Sequence, residues 1–180
     1  MKKEEEKNIH PLHCAIGTHL EIEFRGLAEI KVVRDPACGG SQHIPLFLTE
    51  DKSRDNRLCQ VDFMILKNNK IKIIIEIEES NIKPTQILGK LFASTIAKYY
   101  IHQKENFMSD DVCFIQVLDT KVLKEKSKKI KQWENIEEET KKVLKKLDYP
   151  IKTYKIFYGK LNDEKLLDDV SLYIKKELEK

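Results

Sequence analysis

The segment IKIIIEIE at residues 71–78 is so dense in β-branched side chains that it predicts a β-strand. A second strand is predicted just upstream, at residues 58–66. Side chains alternate between the two faces of a strand, so Glu76 and Glu78 share one face while the isoleucines beside them occupy the other. Each carboxylate would cost several kcal/mol to bury if it stayed ionised, dry and unpaired. The sequence therefore predicts that a basic side chain or a cation faces this pair.

The connection between the two strands decides whether Asp62 joins the glutamates. A three-residue loop would place Asp62 directly opposite Glu76 and on the same face. A two-residue turn at Asn68–Asn69, which such residues favour, would place it opposite Ile75 and pointing away. Our interpretation therefore requires a longer loop or a β-bulge. With either, three carboxylates meet on adjacent strands.

Three carboxylates in this arrangement have the chemistry of a site for a hard divalent cation. Oxygen ligands with an incomplete coordination shell suit Mg²⁺ or Mn²⁺, which retain waters and bind phosphate oxygens. Such an ion can generate a hydroxide nucleophile and stabilise the charge on a phosphodiester during its cleavage. The alternative is an exposed strand face whose acids pair with Lys72 or Arg57, and spacing alone does not decide between the two.

The remaining patterns predict an α/β protein with a mixed central sheet. Apolar residues at steps of three and four predict a helix from Ile9 to Leu27, although the segment EIEF within it could begin a strand. A helix that begins at Pro84 has its apolar face at Leu88, Leu91, Phe92, Ile96 and Tyr99. The other predicted elements are strands at 44–48, 112–118 and 154–161, a long charged helix or helix pair at 121–147, and an amphipathic helix from residue 163 onward. The order α-β-β-β-α-β-α-β-α in 180 residues predicts a single domain, 1–180, with helices on both faces of the sheet.

The bulk composition points to a protein of the cytoplasm. Its 33 basic and 30 acidic residues nearly cancel, so any basic surface for nucleic acid must be local. The N-terminal sequence lacks the apolar run of a signal peptide, and the longest apolar stretch falls far below the roughly 18 residues that span a bilayer. We therefore expect a cytoplasmic protein with no membrane segment and with its four cysteines reduced.

Several residues with zinc-binding side chains lie in the first part of the chain. His10, His13 and Cys14 are close together, and Cys38 and His43 follow. Their spacings match no zinc pattern, so we interpret them as scattered histidines and buried cysteines.

The carboxylates and the order of elements resemble the PD-(D/E)XK nuclease superfamily. The core of that family is α-β-β-β-α-β, with one acid on the second strand and an acid-x-Lys motif on the third. Asp62 matches the first acid and Glu76 the second. Glu78 falls where the lysine usually lies, and Val61 falls where a proline is common. Residues from about 9 to 118 cover the core in this order, and the rest would form a C-terminal α-β-α extension, about 119–180.

The glutamate at the lysine position has precedents in that family. Some type II restriction endonucleases of this fold carry Glu-x-Glu there and are active, and in other relatives the lysine has moved to the following helix. Lys83 and Lys90 are the candidates for such a moved lysine. The predicted apolar face of that helix leaves Lys90 on the opposite side, so we interpret Lys90 as a solvated surface residue.

The resemblance implies a Mg²⁺-dependent endonuclease that hydrolyses DNA phosphodiester bonds, of restriction or repair type. Asp62, Glu76 and the backbone carbonyl of Ile77 would hold Mg²⁺, with Mn²⁺ as a substitute. Glu78 would hold or deprotonate the attacking water.

Further residues are expected around this site. Members of the family often add an acid from the first helix, and the inward stripe of that helix favours Glu23 over Glu21. The groups expected to contact DNA phosphates are Lys52, Arg54, Arg57, Ser80, Asn81 and Lys83. Two copies would form a homodimer, so that two sites reach both strands of DNA.

Two other interpretations stay open. Because Glu78 replaces the usual lysine, the chain could be a catalytically inactive nuclease-like domain that binds nucleic acid or a partner protein. It could also be an unrelated α/β scaffold without an active site.

Overall fold

The computed structural model describes residues 10–80, 82–102, 105–124, 127–161 and 163–180. In these ranges four α-helices and eight β-strands form an α/β fold. The helices are α1 (Pro11–Phe24), α2 (Pro84–Ile96), α3 (Lys129–Leu144) and α4 (Glu164–Leu178). The strands are β1 (Ile30–Arg34), β2 (Ile44–Phe47), β3 (Arg57–Val61), β4 (Phe63–Lys67), β5 (Lys70–Glu78), β6 (Tyr99–His102), β7 (Glu105–Asp119) and β8 (Ile151–Gly159).

The eight strands belong to one mixed sheet. β1, β4 and β5 are antiparallel neighbours, and β7 lies parallel to β5 on its other side. The long strand β7 has two neighbours along its far side: β6 pairs antiparallel with its first residues, and β8 pairs parallel with its last ones. From β6 the sheet continues, antiparallel, through β2 to β3. The predicted mixed sheet is confirmed.

Apolar side chains form one packed layer on each face of the sheet. On one face, α1 and α4 contribute residues such as Ile16 and Val170, which pack with Ile75 of β5. On the other face, α2 and α3 contribute residues such as Leu91 and Trp133. Because both faces of β5 are covered, its sequence is almost continuously apolar.

The predicted elements differ from the observed ones mainly at short strands. The prediction lacks β1 and β6, which are only 5 and 4 residues long and too short to show a clear alternation. The predicted strand at 58–66 is divided at Asp62 into β3 and β4, which lie in different parts of the sheet. The segment EIEF lies within α1, so the alternative strand there is wrong.

A two-residue turn joins β4 to β5. Asn68 and Asn69 have φ angles of 52° and 59°, as both central residues of a type I′ turn require, and Lys67 pairs with Lys70. This turn alone would leave Asp62 on the face opposite the glutamates.

A β-bulge in β5 reverses that outcome. Between Ile71 and Ile73 the pairing with β4 shifts by one residue, which leaves Lys72 as the extra residue of the bulge. Continued to the start of β4, the shifted register places Asp62 opposite Glu76. The predicted β-bulge is therefore confirmed, and it coexists with the tight turn.

Two expectations from composition concern the membrane and the thiols. None of the helices in the described ranges combines the length and the apolar composition that crossing a bilayer requires. The four cysteines are free thiols, as predicted.

Gly17 lets α1 approach the backbone of the segment between β1 and β2. A Cβ at this position would lie 2.2 Å from the carbonyl oxygen of Cys38. We expect Gly17→Ala to lower the free energy of unfolding by about 1–3 kcal/mol, because relieving the contact requires a backbone shift. Denaturant unfolding followed by circular dichroism measures the change.

Gly89→Ala is the matched control for Gly17→Ala. Gly89 also lies in a helix, but nothing is within 4 Å of an added Cβ there. Alanine should therefore leave stability unchanged or raise it by about 0.5–1 kcal/mol through helix propensity. Equal stability of the two alanine variants would contradict the proposed close contact at Gly17.

The carboxylate of Glu137 joins α3 to β8. It accepts hydrogen bonds from the Ile156 backbone N–H at 2.8 Å, from Lys155 Nζ at 3.1 Å and from Lys141 Nζ. Burial by itself would raise the pKa of Glu137, but these donors together lower the pKa below its ordinary value. The stability that Glu137 contributes is therefore present above its unfolded-state pKa, 4.5, and is lost as the pH falls through the lower folded-state pKa.

We expect Glu137→Gln to lower the free energy of unfolding by about 1–3 kcal/mol at pH 7, where hydrogen bonds to a charged group are lost. The difference from the wild type should shrink as the pH falls below 4.5, the ordinary pKa of a glutamate. Glu138→Gln is the control, since the exposed Glu138 pairs with Lys142 on its own helix. A penalty for Glu137→Gln that does not change with pH would contradict the assignment.

Candidate functional site

Four carboxylates converge where β5 ends. Glu76 and Glu78 are on the same face of β5 at its C-terminal end, and Glu79 follows directly. Asp62 lies beside them, at the bend where the chain passes from β3 to β4. Glu76 and Glu78 are only 1% and 5% exposed. The three predicted acids are therefore brought together, and Glu79 extends the group.

Asp62 is held in place by the backbone of β5. Its Oδ2 accepts a hydrogen bond from the Ile77 N–H at 2.7 Å, and its own carbonyl oxygen accepts one from the Asp35 N–H at 3.0 Å. Burial would raise the pKa of Asp62, but the hydrogen bond with His13, the charge of Lys90 and the Ile77 amide lower it below the ordinary value. Asp62 is therefore ionised across the neutral range.

Lys90 of α2 is the basic side chain that faces the two glutamates. Its Nζ lies 2.6 Å from Glu76 Oε2 and 2.7 Å from Glu78 Oε1. Burial would lower the pKa of Lys90, but the charges of Glu76 and Asp62 raise it above the ordinary value, which keeps the ammonium charged. The sequence-based prediction of a positive partner is confirmed, while the interpretation of Lys90 as a solvated surface residue is wrong.

The orientation of α2 explains this correction. The helix buries Ile87, Leu91, Ser94 and Thr95, whereas Leu88 and Phe92 of the predicted apolar face are 43% and 65% exposed. Burial of Ser94 and Thr95 turns the helix about its axis relative to the predicted wheel. The rotation brings the flank that carries Lys90 over the end of β5. The sequence carried a signal for this orientation: Gln86 and Lys90 are four residues apart, which places two polar side chains on one flank of the helix.

Both oxygens of the Glu78 carboxylate have a donor on α2. Gln86 Nε2 donates to Glu78 Oε2 at 2.7 Å. The buried Oε1 accepts from the Lys90 ammonium, whose Nζ lies 2.7 Å away. A carboxylate oxygen has two lone pairs, so Oε1 can accept one further hydrogen bond.

His13, in the first turn of α1, reaches the carboxylates from the other face of the sheet. Its Nδ1 lies 2.7 Å from Glu79 Oε1, and its Nε2 lies 3.5 Å from Asp62 Oδ2. The His13 backbone N–H also donates to Glu79 Oε1, at 2.9 Å, so Glu79 caps the start of the helix. Burial would lower the pKa of His13, but the hydrogen bonds with the two carboxylates raise it above the ordinary value.

Negative charge exceeds positive charge in this cluster, which comprises Asp62, Glu76, Glu78, Glu79, Lys90 and His13. Burial and the neighbouring Asp62 raise the pKa of Glu76 well above its ordinary value, even though Lys90 lowers it. A cation beside Glu76 favours its ionised form, and Lys90 already acts in this direction.

The acid predicted from the first helix lies elsewhere. Glu23 pairs with Lys175 of α4 at 2.5 Å, and Glu21 pairs with Arg34 at 3.4 Å. The prediction of Glu23 is wrong because the part of α1 next to the carboxylates is its first turn, not its last. His13 is the residue that α1 contributes. Two histidines three residues apart at the start of a helix were the sequence signal that could have indicated this contribution.

Ile77 contacts the site through its N–H, which donates to Asp62, whereas the prediction used its carbonyl oxygen.

The residues predicted to contact DNA lie in two parts of the chain. Lys52, Arg54 and Arg57 are exposed. Arg57 begins β3 and precedes Asp62 by five residues, a separation of about 16 Å at the ~3.3 Å rise per residue of an extended strand. Ser80 and Lys83 lie in the segment between Glu79 and α2, and Asn81 lies outside the described residues.

A group of possible metal ligands adjoins the carboxylates. His10, His13 and Glu79 each offer one ligand atom, and these atoms all lie within 4.8 Å of one another. The sequence interpretation of these histidines as scattered residues did not include Glu79, which is distant in the chain.

Comparison of the chain with protein-family models, curated proteins and solved structures finds no match. The geometry of the site is therefore the basis for a functional proposal.

We expect Lys90→Met to lower the free energy of unfolding by about 1–3 kcal/mol at neutral pH. Loss of the ammonium leaves buried glutamates without their partner, although a one-third exposed lysine contributes less than a fully buried one. Adding Glu76→Gln to Lys90→Met should recover part of the loss, and thermal unfolding of the set measures it. Lys83→Met, an exposed lysine at the start of α2, should change stability by less than about 0.5 kcal/mol. Equal effects of the two lysine variants would contradict the assigned ion pairs.

Proposed function

We propose that this chain is a Mg²⁺-dependent nuclease domain that hydrolyses DNA phosphodiester bonds, as an endonuclease of restriction or repair type. The observation that carries the proposal is the convergence of Asp62, Glu76 and Glu78 around the Lys90 ammonium at the end of β5. Acids from two adjoining strands, an excess of negative charge and one lysine suit metal-assisted phosphodiester hydrolysis.

The order of elements supports this proposal. α1, β1, β4, β5, α2 and β7 follow one another as α-β-β-β-α-β, and the four strands among them are consecutive neighbours in the sheet. In this assignment β1, rather than the predicted strand at 44–48, is the first core strand, and β2, β3 and β6 are additions. Asp62 then stands at the start of the second core strand and Glu76 on the third, as the PD-(D/E)XK resemblance expects. Lys90 takes the role of the lysine that has moved to the following helix.

The donor set fits Mg²⁺. This ion binds carboxylate oxygens and retains several waters, so a few protein ligands are sufficient. Asp62 is already ionised, and a divalent cation would offset the burial that opposes ionisation of Glu76. Glu78 Oε1, which accepts from the Lys90 ammonium, has a second lone pair that could accept from a metal-bound water.

A bound Mg²⁺ would supply a hydroxide nucleophile at neutral pH and neutralise charge on the phosphate. The residues of the chain have the other roles. The Ile77 N–H orients Asp62. Lys90 holds a positive charge beside Glu76 and Glu78, where it stabilises negative charge that develops on the substrate. Glu78 accepts a proton from the attacking water.

Contacts with DNA are proposed for the residues nearest the carboxylates. Ser80 and Lys83 lie between the acids and α2, and we propose that they contact phosphates near the cleaved bond. Lys52, Arg54 and Arg57 would contact a more distant part of the duplex. A homodimer would present two such sites to the two strands.

A plasmid-nicking assay tests the proposed function. Supercoiled DNA should be nicked with Mg²⁺ or Mn²⁺ and left intact with EDTA. Asp62→Asn and Glu76→Gln should each reduce the rate by at least about 100-fold, since both remove ligand charge at nearly constant shape. Glu21→Gln is the matched control, because this acid of α1 pairs with Arg34 outside the cluster. It should cleave at the wild-type rate.

Cleavage that survives in Asp62→Asn would contradict the proposal. Binding of DNA without metal-dependent cleavage, measured by fluorescence anisotropy, would instead support the catalytically inactive domain. The side chain of Lys90 makes the active enzyme the better supported of the two, since a lysine does accompany the acids.

A further inference from the structure

A second group of metal-binding side chains lies on the α1 side of the carboxylates. His10 is the residue before the first turn of α1, and His13 is in that turn, with ring centroids 5.1 Å apart. Glu79 reaches them from the end of β5. The three side chains offer two imidazole nitrogens and one carboxylate oxygen within 4.8 Å of one another. Residues three apart at a helix start face the same side, which explains the convergence of the histidines.

The ring of His13 is fixed by carboxylates on both of its nitrogens. Nδ1 lies 2.7 Å from Glu79 Oε1, and Nε2 lies 3.5 Å from Asp62 Oδ2. A histidine that binds a metal through one nitrogen almost always donates its other N–H to a carboxylate or carbonyl, which fixes the tautomer. Asp62 is therefore placed as the outer carboxylate of a His13 that binds metal through Nδ1. The backbone N–H of Ile77 in turn orients Asp62.

We propose that His10, His13 and Glu79 bind a divalent transition-metal ion of the Zn²⁺ and Co²⁺ class. Two nitrogen ligands and one carboxylate suit these ions, whereas Mg²⁺ prefers oxygen ligands alone. The ion replaces the proton between His13 Nδ1 and Glu79 Oε1, and that proton leaves to solvent. Nε2 keeps its proton, and this N–H faces the ionised Asp62 carboxylate. Water completes the coordination.

This site is separate from the proposed Mg²⁺ site and does not rest on the proposed function. It uses neither Glu76 nor Lys90, and its ligands are a different chemical set. The two sites adjoin at the contact between His13 and Asp62 and at the end of β5, where Glu79 follows Glu78. An ion at the histidines would hold Asp62 through the Nε2–H and so stabilise the orientation of one acid of the carboxylate group.

Cobalt titration of the full chain tests the proposal, with an excess of Mg²⁺ present to occupy sites built from oxygen ligands alone. Co²⁺ should bind to the wild type with a visible d–d absorption band, and Zn²⁺ should displace it. His10→Ala should weaken Co²⁺ binding by more than roughly tenfold, since loss of a direct ligand costs at least as much as loss of an outer one. Glu79→Gln should have a similar effect.

Two variants serve as controls. His43→Ala removes an exposed histidine far from α1 in sequence, and Glu76→Gln removes an acid of the carboxylate group. Both should bind Co²⁺ as the wild type does. His10 is exposed, so His10→Ala is expected to fold, and circular dichroism checks this.

The outcomes separate this site from the proposed function. Cobalt binding that survives in His10→Ala, or that is lost in Glu76→Gln alone, would place the ion among the carboxylates and overturn the proposal. Absence of Co²⁺ binding to the wild type would overturn it as well. In plasmid nicking with Mg²⁺ and no transition metal, the histidine site is empty in both proteins, so His10→Ala should cleave at the wild-type rate. Failure of the nuclease proposal would therefore appear in a different assay.

Discussion

Burial of Glu76 and Glu78 at the end of the most apolar strand is the constraint on which the arrangement of this protein depends. Two carboxylates that are almost completely buried require partners, and the partners come from elements distant in sequence. Lys90 and Gln86 of α2 approach from one face of the sheet. The position of α2 is thus tied to the charge of β5 as well as to apolar packing.

The same site joins the two layers of the fold. α1 covers the opposite face of the sheet from α2, yet His13 reaches Asp62 and Glu79 at the end of β5. Asp62 can be approached from both sides because it lies at a bend, where β3 ends and β4 begins. The bend also divides the central part of the sheet from its antiparallel extension. Polar residues gather here because regular pairing of the strands stops.

The carboxylate group and the histidine group differ in the cations they suit. Asp62, Glu76 and Glu78 offer hard oxygen atoms, which are the ligands that we propose for Mg²⁺. His10 and His13 add nitrogen, which favours ions such as Zn²⁺. The contact between His13 and Asp62 joins the two groups.

Local patterns in the sequence determined β5, the shared face of Glu76 and Glu78, the start of α2 at Pro84, and the helical nature of α1, because periodicity and propensity act over a few residues. Only the tertiary structure decided the β-bulge at Lys72 that turns Asp62 toward Glu76, since strand register is a property of two paired segments. It also decided the rotation of α2 that brings Lys90 to the acids. The tertiary structure also decided that His13 contacts Asp62 and Glu79, and that Glu23 lies away from them. A helical wheel gives the relative directions of side chains, but burial against the sheet determines which of them points inward.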